Sequence, residues 1–185
     1  MKRTFFAIKI PLTKNISEIY QRLKVELKDE KVKWVEEWNL HITILFLGDT
    51  DENDIGKICD EFLLSLKEFN SFLLTVAGIG VFKSVYNPKA IWLGVKKSKD
   101  LNELYELISD MFISRSSEVQ KKIFKPHITI GRTKLIKNKN NLKKLIEDFN
   151  EKEIDQIKIN EIYYYESILT SKGPVYNVIR KFNLV

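Results

Sequence analysis

Leu40-His41-Ile42-Thr43-Ile44-Leu45-Phe46-Leu47-Gly48 contains a tetrapeptide that the chain uses again, in Phe124-Lys125-Pro126-His127-Ile128-Thr129-Ile130-Gly131-Arg132. His41 and His127 are the only two histidines of the protein. Each stands two residues before a threonine, with an isoleucine between them. On a β-strand, residues i and i+2 share a face. Each string therefore sets an imidazole beside a hydroxyl and turns its isoleucines to the opposite, buried face. Two such strands facing one another would make a pocket of two imidazoles and two hydroxyls.

Working outward, the same order of elements is read around each string. Residues 3–10 alternate as a strand. Thr13 or Asn15 can cap a helix that carries Ile16, Ile19, Tyr20, Leu23 and Leu27 at helical spacing. A short extended piece, 32–35, leads to the first histidine strand. After Gly48, the run Asp49-Thr50-Asp51-Glu52 supplies a cap and first-turn acids for a helix bearing Ile55, Ile58, Phe62 and Leu66. A β-rich run follows over 72–82, and Asn87-Pro88 marks a turn. Residues 89–96 then read as a buried strand, and Ser98 caps a helix with Leu101, Leu104, Ile108 and Met111. The second histidine strand comes next, then a helix with Leu142, Leu145, Ile146 and Phe149. One long strand is expected from Ile154 to about Tyr165. Ser171-Lys172-Gly173-Pro174 turns the chain into a last strand, 175–182.

The register of this repeat is constant. His127 lies 86 positions after His41, Lys89 lies 86 after Arg3, and Ser98 lies 86 after Leu12. One offset across strand, helix and histidine string points to an internal duplication of about 3–82 and 89–166, plus a final strand. The expected fold is α+β, a single two-lobed domain over 1–185. A pseudo-twofold axis would relate the lobes. Helices pack outside each sheet, and the equivalent histidine strands face a shared cleft.

Bulk properties narrow the setting. A chain of 185 residues, 44% hydrophobic and 30% charged, can bury a core without staples. The single cysteine, Cys59, rules out an intramolecular disulfide and a multi-cysteine metal site. Lys9 and Pro11 cut the apolar start well short of a signal sequence. No run approaches the roughly 20 apolar residues of a spanning helix, so no membrane association and a cytoplasmic location are expected. The net charge of +6 suits a phosphate-bearing partner, although dispersed lysines also read as a solvated surface.

The chemistry follows from two imidazoles that titrate near neutral pH. One accepts a proton while the other donates one, on opposite sides of a single reacting atom. In-line displacement at phosphorus needs that pair. The hydroxyls of Thr43 and Thr129 can hold the non-bridging phosphate oxygens, and Arg132 adds a cation near the second strand's end. A zinc site would want a third ligand and closer spacing. Neither a G-x-S-x-G elbow nor a phosphate-binding glycine loop is present. The competing reading from another class is a non-catalytic module that binds RNA or a nucleotide in the same cleft.

These strings and their flanks resemble the 2H phosphoesterase superfamily, and within it the RNA 2′,3′-cyclic phosphodiesterases, also named 2′-5′ RNA ligases. The resemblance runs from Arg3-Thr4-Phe5-Phe6-Ala7-Ile8 through both histidine strings and Ile91-Trp92-Leu93-Gly94-Val95. It ends with Glu166-Ser167 and Gly173-Pro174-Val175-Tyr176. It implies metal-independent hydrolysis of a terminal 2′,3′-cyclic phosphate to a 2′-phosphate, with a reverse reaction that joins ends through a 2′-5′ bond. It implies no cofactor. RNA ends or small cyclic nucleotides would be the partners, and a monomer is expected.

By matching motif positions, His41 is the proton donor to the leaving 3′ oxygen and His127 the acceptor from water, with the symmetry of the pocket leaving the reverse assignment open. Thr43 and Thr129 hold the phosphate, and Arg132 approaches the nucleotide. Among the aromatics, Phe5 and Phe6 point to opposite faces, so only one can line the cleft, and Phe6 is taken as that one. Tyr176, Trp34 and Trp38 are candidates for the rim. Substrate length and base preference would sit in loops 83–88 and 133–141, where Lys134, Lys137 and Lys139 could follow an RNA backbone. Transfer RNA halves or oligoadenylates remain open as substrates of the same chemistry.

Overall fold

The computed structural model describes residues 1–113, 123–171 and 173–185. Lys172, in the turn expected before the last strand, lies outside them. Strand β1 (Lys2–Lys9) leads into helix α1 (Lys14–Glu26), whose N-cap is Thr13: its hydroxyl oxygen accepts from the Ile16 amide at 3.2 Å. The same hydroxyl donates to the Asp155 carboxylate, fastening the start of α1 to a strand far along the chain. Strand β2 (Lys31–Trp34) and a single 3₁₀ turn (Glu37–Asn39) precede β3 (His41–Thr50). Asp51 caps α2 (Glu52–Ser65) by accepting from the Asn53 amide at 2.9 Å, and Glu52 and Asp54 stand in its first turn. Strands β4 (Phe72–Val81) and β5 (Ala90–Val95) form a hairpin. Ser98 caps α3 (Lys99–Ile113), accepting from the Leu101 amide at 3.2 Å. The chain closes with β6 (His127–Leu135), α4 (Lys139–Asp148), β7 (Glu153–Ile159), β8 (Glu161–Thr170) and β9 (Gly173–Asn183).

Two antiparallel sheets result, in the orders β3-β1-β8-β9 and β2-β6-β5-β4-β7. The expected single strand over Ile154–Tyr165 is corrected here. It breaks at Asn160, and its two parts enter different sheets. The sheets also do not follow the two halves of the sequence. β4, from the first half, lies beside β5 of the second, and β8, from the second half, lies beside β1 of the first. Each half thus lends its later strands to the other's sheet. The lobes correspond element for element, β3-β1-β8-β9 against β6-β5-β4-β7, with β2 as an addition.

The helices follow the same exchange. α1 packs on β7 and α4 on β4, while α3 packs on β3. Phe62 of α2 meets Phe6 of β1 edge-on at 4.6 Å. These contacts leave the opposite sheet faces for a cleft, where β3 and β6 approach one another. Among the described residues, no helix is long and apolar enough to cross a membrane.

Candidate active site

Both histidine strings lie on strands as their alternation requires. Ile42, Ile128 and Ile130 are fully buried, and Ile44 nearly so. His41 and Thr43 on β3, with His127 and Thr129 on β6, line one cleft of about 520 Å³. Both strands come from one chain.

The two imidazoles are held in the same way. Nδ1 of His41 donates to the carbonyl of Asn39 at 2.6 Å, and Nδ1 of His127 donates to the carbonyl of Lys125 at 2.8 Å. A carbonyl can only accept, so each Nδ1 carries a hydrogen and each neutral ring keeps its lone pair on Nε2. Either Nε2 can therefore take a proton when neutral and give one when charged. Aromatic rings brace both. Tyr176 meets His41 edge-on at 5.1 Å, Phe5 lies 5.5 Å from it, and Phe82 meets His127 edge-on at 4.6 Å. Burial pushes the pKa of His41 below the ordinary imidazole value, and the nearby His127 and Arg132 push the same way. The bond to Asn39 opposes them.

Arg132 reaches the cleft because its strand is irregular. It lies five residues after His127, an odd number, so strict alternation would turn it outward. On β6, Gly131 pairs with Ile91 while Thr129 pairs with Trp92, leaving Ile130 as an extra residue. A bulge of this kind changes which face the following residues occupy. β3 has the same irregularity at the equivalent place: Leu45 pairs with Phe6 and Thr43 with Ala7, leaving Ile44 over. The residue that this second bulge delivers to the cleft is Phe46, 86 positions before Arg132.

Tyr176 and Trp34 line the cleft, as the sequence suggested. Phe6 does not. It is fully buried on the other face of β1, stacked on Tyr164 at 4.6 Å. Phe5 takes the cleft side, in a small aromatic cluster with Tyr165 and Tyr176. The helix side of β1 offers Phe62 and Tyr164 as partners, and Phe6 fills that space. Trp38 lies outside the main cleft, 70% exposed. The expected loop over 133–141 is mostly regular structure: Lys134 belongs to β6 and Lys139 opens α4. The amides of Lys137 and Asn138 donate to the Glu30 carboxylate, and none of the three lysines lines the cleft.

The family model for LigT-like phosphoesterases matches the chain twice, over residues 8–92 and 93–176. The chain belongs to the LigT-like phosphoesterase family. This LigT-like phosphoesterase is 37% identical over 179 residues to an RNA 2′,3′-cyclic phosphodiesterase of Thermotoga maritima, covering 96% of the chain and 92% of that protein. It is 33% identical over 180 residues to one of Methanocaldococcus jannaschii, with 97% and 99% covered. Its fold is that of a Thermus thermophilus protein, with a TM-score of 0.77 at 22% identity over 98% and 97% of the two chains. Apo Escherichia coli LigT gives 0.72 at 21% identity over 100% and 98%.

Sequence reading gave this LigT-like phosphoesterase no roles for Arg3, Lys33 or Phe46, all of which line the cleft. The Arg3 guanidinium lies over the Phe46 ring at 4.7 Å. Among the described residues, Arg3, Lys33 and Arg132 face a single lining acid, Glu36, so the cleft is cationic. The constant offset of 86 would have pointed from Arg132 to Phe46. Arg3 and Lys33 carry no comparable signal: pairing of β1 with β3 and of β2 with β6 brings each to the cleft. Among the described residues, no three His, Cys, Asp or Glu side chains gather as a ligand set for a metal ion.

Proposed function

We propose that the cleft hydrolyses the 2′,3′-cyclic phosphate at an RNA end to a 2′-phosphate, with the two histidines as acid and base. The observation that carries this reading is the matched pair of Nδ1–carbonyl bonds, which leaves two Nε2 atoms with the same freedom to move a proton in one cationic cleft. Family membership and relatives called RNA 2′,3′-cyclic phosphodiesterase support the substrate.

In this mechanism His127 Nε2 takes a proton from the attacking water as its oxygen bonds to phosphorus. The bond between phosphorus and O3′ breaks, and O3′ receives the proton of His41 Nε2. The product carries a 2′-phosphate and a free 3′ hydroxyl. His127 is left charged and His41 neutral, and exchange with solvent resets both. Thr43, Thr129 and Arg132 hold the non-bridging oxygens, where charge concentrates in the transition state. The lowered pKa of His41 bears on its role. The imidazole is neutral in the empty cleft above its own pKa, and the anionic substrate favours its charged form. Its buried surroundings favour the neutral ring, and so favour release of the proton to O3′. With the 5′ hydroxyl of a second RNA in place of the water, the same steps break the bond between phosphorus and O3′, protonate O3′ and leave a 2′-5′ bond.

The test is incubation of a short RNA bearing a terminal 2′,3′-cyclic phosphate with the purified protein in excess EDTA, followed by analysis of the product end. A 2′-phosphate is expected. Conversion only after addition of a divalent metal would overturn the metal-free mechanism. Tight RNA binding with no conversion under either condition would make the cleft a binding module.

A further inference from the structure

Trp38 is 70% exposed on the 3₁₀ turn that delivers Asn39 to His41. It lines a depression of about 180 Å³ with Lys9, Tyr165 and Val178, and this depression shares Asn39, His41 and Tyr176 with the catalytic cleft. Lys9 also lines a third depression of about 280 Å³, together with Lys158, Asn160 and Tyr163. The three concavities are linked by shared walls: the His41–Tyr176 rim lies between the cleft and the Trp38 depression, and Lys9 lines both outer depressions. Among the described residues, Glu161 is the only acid lining the two outer depressions, and its charge is compensated: it accepts from the Tyr163 hydroxyl and pairs with Lys181 at 2.9 Å.

The catalytic cleft has the size of a small-molecule site, enough for a terminal nucleotide. The rest of an RNA must leave it. An open indole followed by lysines has the composition of a surface for single-stranded nucleic acid, where bases stack on rings and cations follow the backbone. We propose that these linked concavities form a path that binds the body of the RNA. A base on the 5′ side of the reacting nucleotide stacks on Trp38, and the adjoining phosphates run past Lys9 and Lys158. The path rests on the RNA-end reading and adds substrate length to it.

The test compares wild type, Trp38→Ala, Trp38→Tyr and Lys9→Gln on two substrates: a mononucleoside 2′,3′-cyclic phosphate and an eight-nucleotide RNA with the same terminus. Trp38→Ala is expected to lower kcat/KM for the octanucleotide roughly tenfold through KM, with the mononucleotide unchanged. Trp38→Tyr should recover most of the loss. Lys9→Gln should weaken the octanucleotide severalfold at low salt and less at high salt. Equal losses on both substrates, or no loss on the octanucleotide, would overturn the path. A wild type that turns over neither substrate would strike the proposed function alone. The path would then be judged by octanucleotide binding, which Trp38→Ala must weaken by the same factor or the path is wrong.

Discussion

At the scale of single residues, the site depends on which atom of each imidazole carries hydrogen. The Asn39 and Lys125 carbonyls settle this for His41 and His127 alike, and burial lowers the pKa of His41. If His41 is the donor, His127→Ala leaves residual turnover that needs a charged His41. Its kcat/KM should fall as pH rises, with the fall below pH 6.5, the ordinary imidazole value, because kcat/KM reports the free protein. In kcat the same limb should move to higher pH, since bound phosphate favours the imidazolium. Residual kcat/KM that rises with pH would reverse the two roles. The histidines and threonines were legible in the sequence because i, i+2 spacing alone places them. The choice between Phe5 and Phe6 was not: alternation says that they face apart, and the rings of Phe62 and Tyr164, distant in sequence, say which face is core.

At the scale of elements, the bulges and cross-strand pairs aim what the residues supply. Without the extra Ile130, Arg132 would face away from the cleft, and nothing in a period-2 pattern announces such an insertion. The break at Asn160 escaped for a related reason. Buried apolar residues recur closely on both sides of it, with no glycine or proline to mark the passage between sheets. On the second lobe, Gly80 pairs with Trp92, and a Cβ at position 80 would come within 2.2 Å of the indole. That indole lies 6.0 Å from Phe82, which braces His127. Gly80→Ala is therefore expected to cost roughly 1–3 kcal/mol of stability through overpacking. It should also lower kcat, because the displaced indole disturbs the ring against His127. Urea unfolding and single-turnover rates check the two effects. A stable, fully active variant would show that the Trp92–Phe82–His127 stack does not position the histidine.

At the scale of the whole molecule, the two halves are interlocked rather than merely joined. The first half contributes β1, β3 and His41 to one sheet but sends β4 to the other. The second half contributes β5, β6 and His127 and sends back β8 and β9. The cleft between the sheets therefore needs both halves, and each brings one proton-carrying group. The repeat offset of 86 made the correspondence of halves legible, while the exchange of strands was hidden, since long-range pairing leaves no local mark. If the two histidines work as one acid–base pair, their losses should not multiply. The most direct measurement is kcat of His41→Ala, His127→Ala and the double variant on RNA with a terminal 2′,3′-cyclic phosphate, with folding verified by melting. The account predicts that each single variant loses roughly 10²–10⁴-fold and that the double variant loses little more than the worse single one. Near-normal turnover in either single variant, in a folded protein, would contradict it.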